Sequence, residues 1–307
     1  MKKNYDILVV GSINMDVIVN TDRYPAYGDT VFCNSINMTP GGKGANQAVT
    51  AAQLNKKTAL IGAVGKDSAG SQLLRNLEVK NVDVSHVLEV ETSGTGTFVA
   101  MIDVRGENTM VGTKGANDHI LRKDIEQIFD QLDAKILLVQ METSKESILA
   151  AMQEARKRKM FVILDPAPAD GIFEEAFQYA DLILPNKQET KAITGIDVVD
   201  RETALQAAIK LKEMGIPQSV VKMAENGSLV YHNDTPTYIE AIKVQAVDTV
   251  GAGDCFAGAL ASSLLETNDL VEAVKFASVA AGIKVSRSGG QDAIPSLQEV
   301  LSYRSTC

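Results

Sequence analysis

The sequence predicts an α/β fold: a central, mainly parallel β-sheet flanked by helices on both faces, with a small β-sheet beside it. Short apolar runs rich in β-branched residues alternate with longer segments of helical period, the pattern of a parallel sheet covered on both sides. Two stretches break that alternation with period-two segments and no helix between them.

Strands are predicted at 7–10, 58–63, 136–139, 161–164, 182–184, 219–221 and 229–231, and helices at 45–54, 69–80, 147–158, 201–214, 254–265 and 270–285. Gly215 followed by Pro217 ends the helix at 201–214, since one suits the left-handed cap and the other cannot continue a helix. The interruptions pair 16–20 with 31–37, punctuated by Pro25 and Gly28, and 96–103 with 108–112, joined through Arg105, Gly106 and Glu107. Together they read as a lid, formed by approximately 14–37 and 95–113 as insertions in one 307-residue domain. No internal repeat or low-complexity linker divides the chain.

With 45% hydrophobic residues in 307, the chain can bury one large core without disulfides. Cys33, Cys255 and Cys307 are widely spaced and form no CxxC pair, which fits a reducing compartment. Lys2 and Lys3 precede only a short apolar run, Ile7 to Val10, too brief for a signal core or a membrane span, so a cytoplasmic location is expected. Thirty-nine acidic against 30 basic residues argue against nucleic acid as a partner. The basic run Arg156 to Lys159 closes a predicted helix, where cations complement the helix dipole. His86, His119 and His232 lie apart from one another and from any acidic motif, and Cys255 reads as a packed thiol.

Chemistry concentrates in a few motifs. Asp248-Thr-Val-Gly251-Ala252-Gly253-Asp254 runs straight into a helical pattern, so its glycines leave backbone N–H groups open at a helix start where the dipole favours an anion. Asp254 either caps that helix or, pressed against a phosphate site, accepts a proton from an attacking hydroxyl. Gly41-Gly42-Lys43-Gly44-Ala45-Asn46-Gln47 opens a second helix, for packing or for binding. Neither motif is a Walker A loop or a Rossmann fingerprint: Lys43 is followed by Gly44, and Phe256 stands where GxGxxG needs its last glycine. Asn14 and Asp16 project from one face of an extended segment, as a strand-end turn or as a bidentate partner for vicinal hydroxyls. Glu142 and Asn186 also follow strands, and in a parallel sheet the carboxyl ends of strands open onto one crevice.

The two glycine motifs in this order, about two hundred residues apart, with Gly11 to Asp16, Asp165-Pro-Ala-Pro168 and Pro185-Asn186-x-x-Glu189, resemble the signatures of the PfkB carbohydrate kinase family across nearly the whole chain. The resemblance implies that family's fold, with a β lid that also serves as a dimer surface. It implies phosphorylation of ribose at O5 by ATP with Mg²⁺, giving ribose 5-phosphate and ADP. Another sugar or a nucleoside, such as deoxyribose or fructose, and a sugar-binding sensor without turnover remain open.

By the same resemblance the sugar is held by Asn14, Asp16, Gly42, Lys43, Gly44, Ala45, Asn46 and Glu142. Asp254 is the base, and the amides of Gly251, Ala252 and Gly253 stabilise the transferred phosphoryl group. Asn186, Glu189, Lys222, Met223, Ala224, Glu225, Asn226, Gly227, Gly253 and Ser278 line ATP, with Glu189 organising metal and water. A potassium ion is expected at Asp248, Val250, Lys284, Arg287, Gly289 and Ala293, where the family usually has serine at the last position. The nucleotide loop departs too: Ala224 stands at a usual glycine, which alanine tolerates unless φ is positive, and Lys222 offers a phosphate contact.

Overall fold

The computed structural model describes residues 2–105 and 107–304, so Gly106 of the expected turn and Cys307 lie outside the described residues. In chain order come β1 (Lys3–Val10), β2 (Asn14–Asn20), β3 (Ser35–Gly41), α1 (Lys43–Gln53), β4 (Thr58–Ile61), β5 (Ala63–Gly65), α2 (Ser68–Val79), β6 (Val82–Asp83) and β7 (Leu88–Val90). β8 (Gly96–Ile102), β9 (Asn108–Thr113), α3 (Arg122–Phe129), β10 (Leu132–Gln140), α4 (Lys145–Lys157), β11 (Phe161–Asp165), β12 (Leu182–Ile183), α5 (Lys187–Thr194) and α6 (Arg201–Glu213) follow. The chain continues through β13 (Ser219–Lys222), β14 (Ser228–His232), β15 (Thr235–Ile239), α7 (Ala252–Thr267), α8 (Leu270–Val285) and α9 (Leu297–Arg304).

The main sheet has the order β15-β14-β13-β12-β11-β10-β1-β4-β6, parallel from β6 to β13 and antiparallel beyond. Its strands are apolar on both faces, and their side chains sort by period two. Ile7, Val9, Leu60, Ile136 and Leu138 face one core, packed with α1, α2, α7, α8 and α9. Leu8, Val10, Ile61, Leu137 and Val139 face the other, packed with α3, α4 and α6. From β1 the chain crosses over to β4, on one side of β1; β10, on its other side, leads to β11. The order therefore reverses between β1 and β10, and a crevice opens beyond their carboxyl ends.

The six predicted helices form within a few residues of their expected bounds, and their starts follow their caps. Asp67 accepts the Gly70 N–H at the head of α2, and Ser144 accepts the Ser147 N–H at the head of α4. α3, α5, α9, β6, β7 and β15 were not anticipated, because their short runs carry little periodicity. The strand expected at 58–63 breaks at Gly62, and β5 leaves the main sheet to pair with β7.

The two period-two stretches are not separate hairpins. They join in one four-stranded sheet, β3-β2-β8-β9, through the parallel pair β2 and β8. The strand expected at 31–37 forms instead at Ser35–Gly41, since the register set by β2 pairs Asn14 with Gly41 and Asn20 with Ser35. Pro40 is tolerated there because β3 is an edge strand with no second neighbour. This sheet exposes Ile36, Met38, Met110 and Val111.

The basic run at the end of α4 is neutralised locally: Arg156 pairs with Asp181, Lys157 with Glu154, and Arg158 with Asp130 and Glu154. No helix among the described residues is long and apolar enough to cross a membrane. Leu138 is fully buried between β10 and the α1 and α7 side. Leu138→Ala should cost about 2–5 kcal/mol in urea unfolding, through lost transfer energy plus a cavity.

Candidate active site

Two helix starts meet at the crevice. At the first, Gly42 precedes α1 with φ 93°, and a Cβ there would lie 2.6 Å from the Ser12 carbonyl and 2.7 Å from the Asn14 amide nitrogen. Only glycine lets the loop lie so close to the chain leaving β1. The Lys43 N–H then donates to Ser12 Oγ at 3.0 Å and Glu142 Oε2 at 3.4 Å. Ser12 Oγ also donates to Glu142, and Asn14 Nδ2 donates to the same carboxylate at 3.3 Å. Asn117, fully buried, holds Asn14 in turn: its Nδ2 donates to Asn14 Oδ1 at 2.8 Å and its Oδ1 accepts the Ile13 N–H at 2.9 Å.

At the second, Gly251 takes the left-handed conformation, φ 73°, before α7. The Gly251 and Gly253 N–H groups find no backbone acceptor among the described residues, whereas the Ala252 N–H donates to the Thr249 carbonyl at 3.2 Å. Ala252 thus differs from its expected role, because the turn that opens its neighbours' amides closes its own. Asp254 does not cap its helix. Its carboxylate reaches across to α1, accepting from Asn46 Nδ2 at 2.9 Å and Gln47 Nε2 at 3.2 Å.

Behind this pair lies a network that motif reading missed. Gln47 Nε2 also donates to Asp165 Oδ2 at 2.8 Å, Gln140 Nε2 donates to Gln47 Oε1 at 2.6 Å, and Lys222 Nζ pairs with Asp165 Oδ1 at 2.9 Å. On the other side Gln291 Nε2 donates to Asn46 Oδ1 at 3.0 Å, and Gln291 Oε1 accepts from Asn76 Nδ2 at 2.7 Å. Gln140 and Asp165 end β10 and β11, so the rule that selected Glu142 and Asn186 would also have found them. Asn117 and Gln291 carry no such signal.

Five carboxylates, Asp16, Glu142, Asp165, Glu189 and Asp254, share this region with the ammoniums of Lys43 and Lys222. Burial pushes the Asp254 carboxyl above the usual carboxylate range and Asp165 adds to this, while Lys43, Asn46 and Gln47 pull against it. Burial works against the charge on Lys43, but Asp254, Glu142, Asp165 and Glu189 outweigh it and hold its ammonium above the ordinary lysine range. Asp16 is raised to about 6, by burial first and then by Glu142 and Asp254. The Cys255 thiol is buried and pushed up to about 12, an inert packed group as expected.

Residues expected around the nucleotide divide. Asn186 and Glu189 spend their side chains on each other in a capping box at the start of α5, with contacts of 2.8 Å. Lys222 lies 3.8 Å from where a Cβ on Gly253 would stand, so it borders the cradle while paired to Asp165. Met223 through Gly227 form a tight turn in which Ala224 has φ 54°, the strained case for alanine, and Glu225 lies 3.8 Å from Lys187. Ser278, half-buried on α8, donates to the Val274 carbonyl at 2.9 Å. Among the described residues no group of three or more His, Cys, Asp or Glu is arranged to hold a metal ion.

A parallel α/β sheet with two glycine-opened helix starts meeting at its switch point defines a phosphoryl-transfer enzyme of carbohydrate-kinase type. Residues 4–297 match the pfkB family of carbohydrate kinases, and the chain belongs to that family. It is 34% identical over 298 residues to the ribokinase of Haemophilus influenzae, covering 97% of each chain. It is 33% identical over 304 residues to the deoxyribokinase of Salmonella typhi, covering 98% of this chain and 99% of the relative. The structure of Arabidopsis thaliana ribokinase complexed with ribose and ATP superposes with a TM-score of 0.91 at 31% identity, covering 98% of each chain. The fold is ribokinase-like, and the chain is an ATP-dependent sugar kinase.

The raised Asp16 carboxyl has a signed consequence. Its folded value of about 6 lies above the unfolded value of about 3.9, so the folded protein binds the extra proton and gains stability as pH falls from about 6 to about 4. Above that window the buried charge costs stability. Asp16→Asn should therefore raise stability by about 1–2 kcal/mol at pH 8, with the gain vanishing near pH 4 in thermal melts at the two pH values.

Proposed function

We propose that the chain phosphorylates D-ribose at O5, using ATP and giving D-ribose 5-phosphate and ADP, with Asp254 as the general base. The observation that carries this reading is the buried Asp254 carboxylate, held from α1 by two side-chain amides beside the open Gly251 and Gly253 N–H groups. As the sugar oxygen attacks the γ-phosphorus, its proton passes to Asp254. Burial makes that carboxylate a stronger base, while Lys43 and the two amides favour its ionised form. The open amides stabilise charge on the transferred group.

The sugar end is set by hydroxyl acceptors. Asn14 and Glu142 are pre-oriented by Asn117, Ser12 and Lys43, and no hydrogen-bond donor of the described residues reaches the Asp16 carboxylate, which leaves it for a vicinal diol. Lys222 through Gly227 with Asn186, Gly253 and Ser278 border the nucleotide. Mg²⁺ needs only one or two carboxylates when phosphates supply other ligands, and here it would neutralise phosphate charge in a carboxylate-rich crevice. Both Glu189 oxygens accept from Asn186, so Glu189 serves such an ion through water. The small sheet closes over the sugar as a lid, and its exposed Ile36, Met38, Met110 and Val111 suit pairing of two subunits. A cytoplasmic location fits the unpaired Cys33 and Cys255.

Deoxyribose is the second reading, favoured by the near-full-length similarity to the Salmonella typhi deoxyribokinase. A coupled ADP-release assay with ribose and 2-deoxyribose decides between them. Ribose should be preferred by about 10- to 100-fold in kcat/KM, the worth of one hydrogen bond to a charged group; equal or reversed preference refutes the ribose assignment. Asp254→Asn should lower kcat by about 10²- to 10⁴-fold while calorimetry still detects sugar binding, and retention of most activity would remove Asp254 from its role.

A further inference from the structure

The residues expected to hold a potassium ion do not fit one. Lys284 is 1% exposed, and its Nζ lies 3.3 Å from both the Asp248 carbonyl oxygen and Asp248 Oδ2. An ammonium therefore already stands among the oxygens that were to bind the metal. Of the remaining positions, two carbonyls already accept a backbone N–H and one side chain lacks an oxygen. The Lys284 carbonyl accepts the Arg287 N–H at 3.1 Å, the Gly289 carbonyl accepts the Asp292 N–H at 2.9 Å, and Ala293 has no side-chain oxygen. The Arg287 guanidinium turns away to Glu299 at 2.7 Å. A second cation beside a buried ammonium would meet strong repulsion with little water to screen it.

The same contacts connect Lys284 to the anion cradle. Asp248 Oδ1 accepts the Val250 N–H at 3.0 Å while Oδ2 meets Lys284, so one carboxylate ties the ammonium to the turn leading into Gly251. The Val247 and Asp248 N–H groups donate to the Val285 carbonyl at 2.8 and 3.1 Å, fastening this loop to the end of α8. Lys284 Cε lies 4.0 Å from where a Cβ on Gly251 would stand.

We infer that the Lys284 ammonium is a tethered monovalent cation, which replaces a diffusible potassium ion and holds the 248–251 loop so that the Gly251 and Gly253 N–H groups stay aimed at the phosphoryl group. A lysine suits the task as a compact point charge, fixed on the neighbouring helix at no cost in ion binding. Lys284 is a positioning residue, and its place in turnover rests on the proposed kinase reaction.

The test compares wild type and Lys284→Ala in tetramethylammonium chloride and in potassium or ammonium chloride of equal ionic strength, by sugar-dependent ADP release and by melting temperature. Wild-type rate should change by less than about threefold between the salts, beyond general screening, with no potassium-specific rise in melting temperature. Lys284→Ala should lose about 100-fold in kcat in tetramethylammonium, the scale of a misplaced catalytic group. Potassium or ammonium should restore part of that rate and raise the variant's melting temperature. A larger stimulation of wild type, a variant that keeps its rate without potassium, or a folded variant that ignores potassium overturns the inference. If Lys284→Ala does not fold, the wild-type salt comparison alone decides. If no sugar is phosphorylated, the proposed reaction fails, while the melting comparison still judges Lys284.

Discussion

The candidate site depends on a carboxylate that belongs to one helix and is held by another. Asp254 sits in the first turn of α7, where an exposed aspartate would ordinarily bond its own helix amides. Here its oxygens are taken by Asn46 and Gln47 of α1, and the backbone N–H groups beside it are left for a ligand. Burial raises that carboxyl above the usual range, and those amides with Lys43 pull against it. Glycine at 42 lets α1 lie against the chain leaving β1, and glycine at 258 lets α7 lie against Gln47 and Thr50 of α1, so the chemistry and the topology rest on two close approaches.

Charge balance follows from that arrangement. The crevice gathers five carboxylates around two ammoniums, a composition that suits hydroxyl recognition and is poor for phosphate until cations accompany the nucleotide. The amide group of Gln47 fixes the Asp165 and Asp254 carboxylates without altering the charge, and Gln140, Asn117 and Gln291 hold Gln47, Asn14 and Asn46 in turn. Gln140 Oε1 remains without a hydrogen-bond partner although it is buried, which marks how tightly β10 and the Gly11 turn close on each other.

The chain's departures from the family pattern have different fates in three dimensions. Ala224 adopts φ 54°, so the strain anticipated for a residue with a Cβ is present in the loop expected to border the nucleotide. Lys222 is drawn to Asp165 and so neutralises a buried carboxylate at the border of the cradle. Lys284, expected only as one of the potassium positions, has the larger effect, because its side-chain ammonium reaches Asp248 in the expected ion site.

Local chemistry determined much of this protein in advance. Apolar runs, helical periods and glycine-led helix starts named the class, most of the helices and both halves of the candidate site, because each is a property of neighbouring residues. What only the tertiary structure decided is relational. The register that moves a strand from 31–37 to Ser35–Gly41, the parallel pairing that makes one sheet of two hairpins, and the amides that convert Asp254 from a cap to a buried acceptor all join residues far apart in sequence. So does the ammonium of Lys284 beneath the cradle. Contacts of that kind depend on how two packed surfaces meet, and a one-dimensional pattern holds the residues but not the meeting.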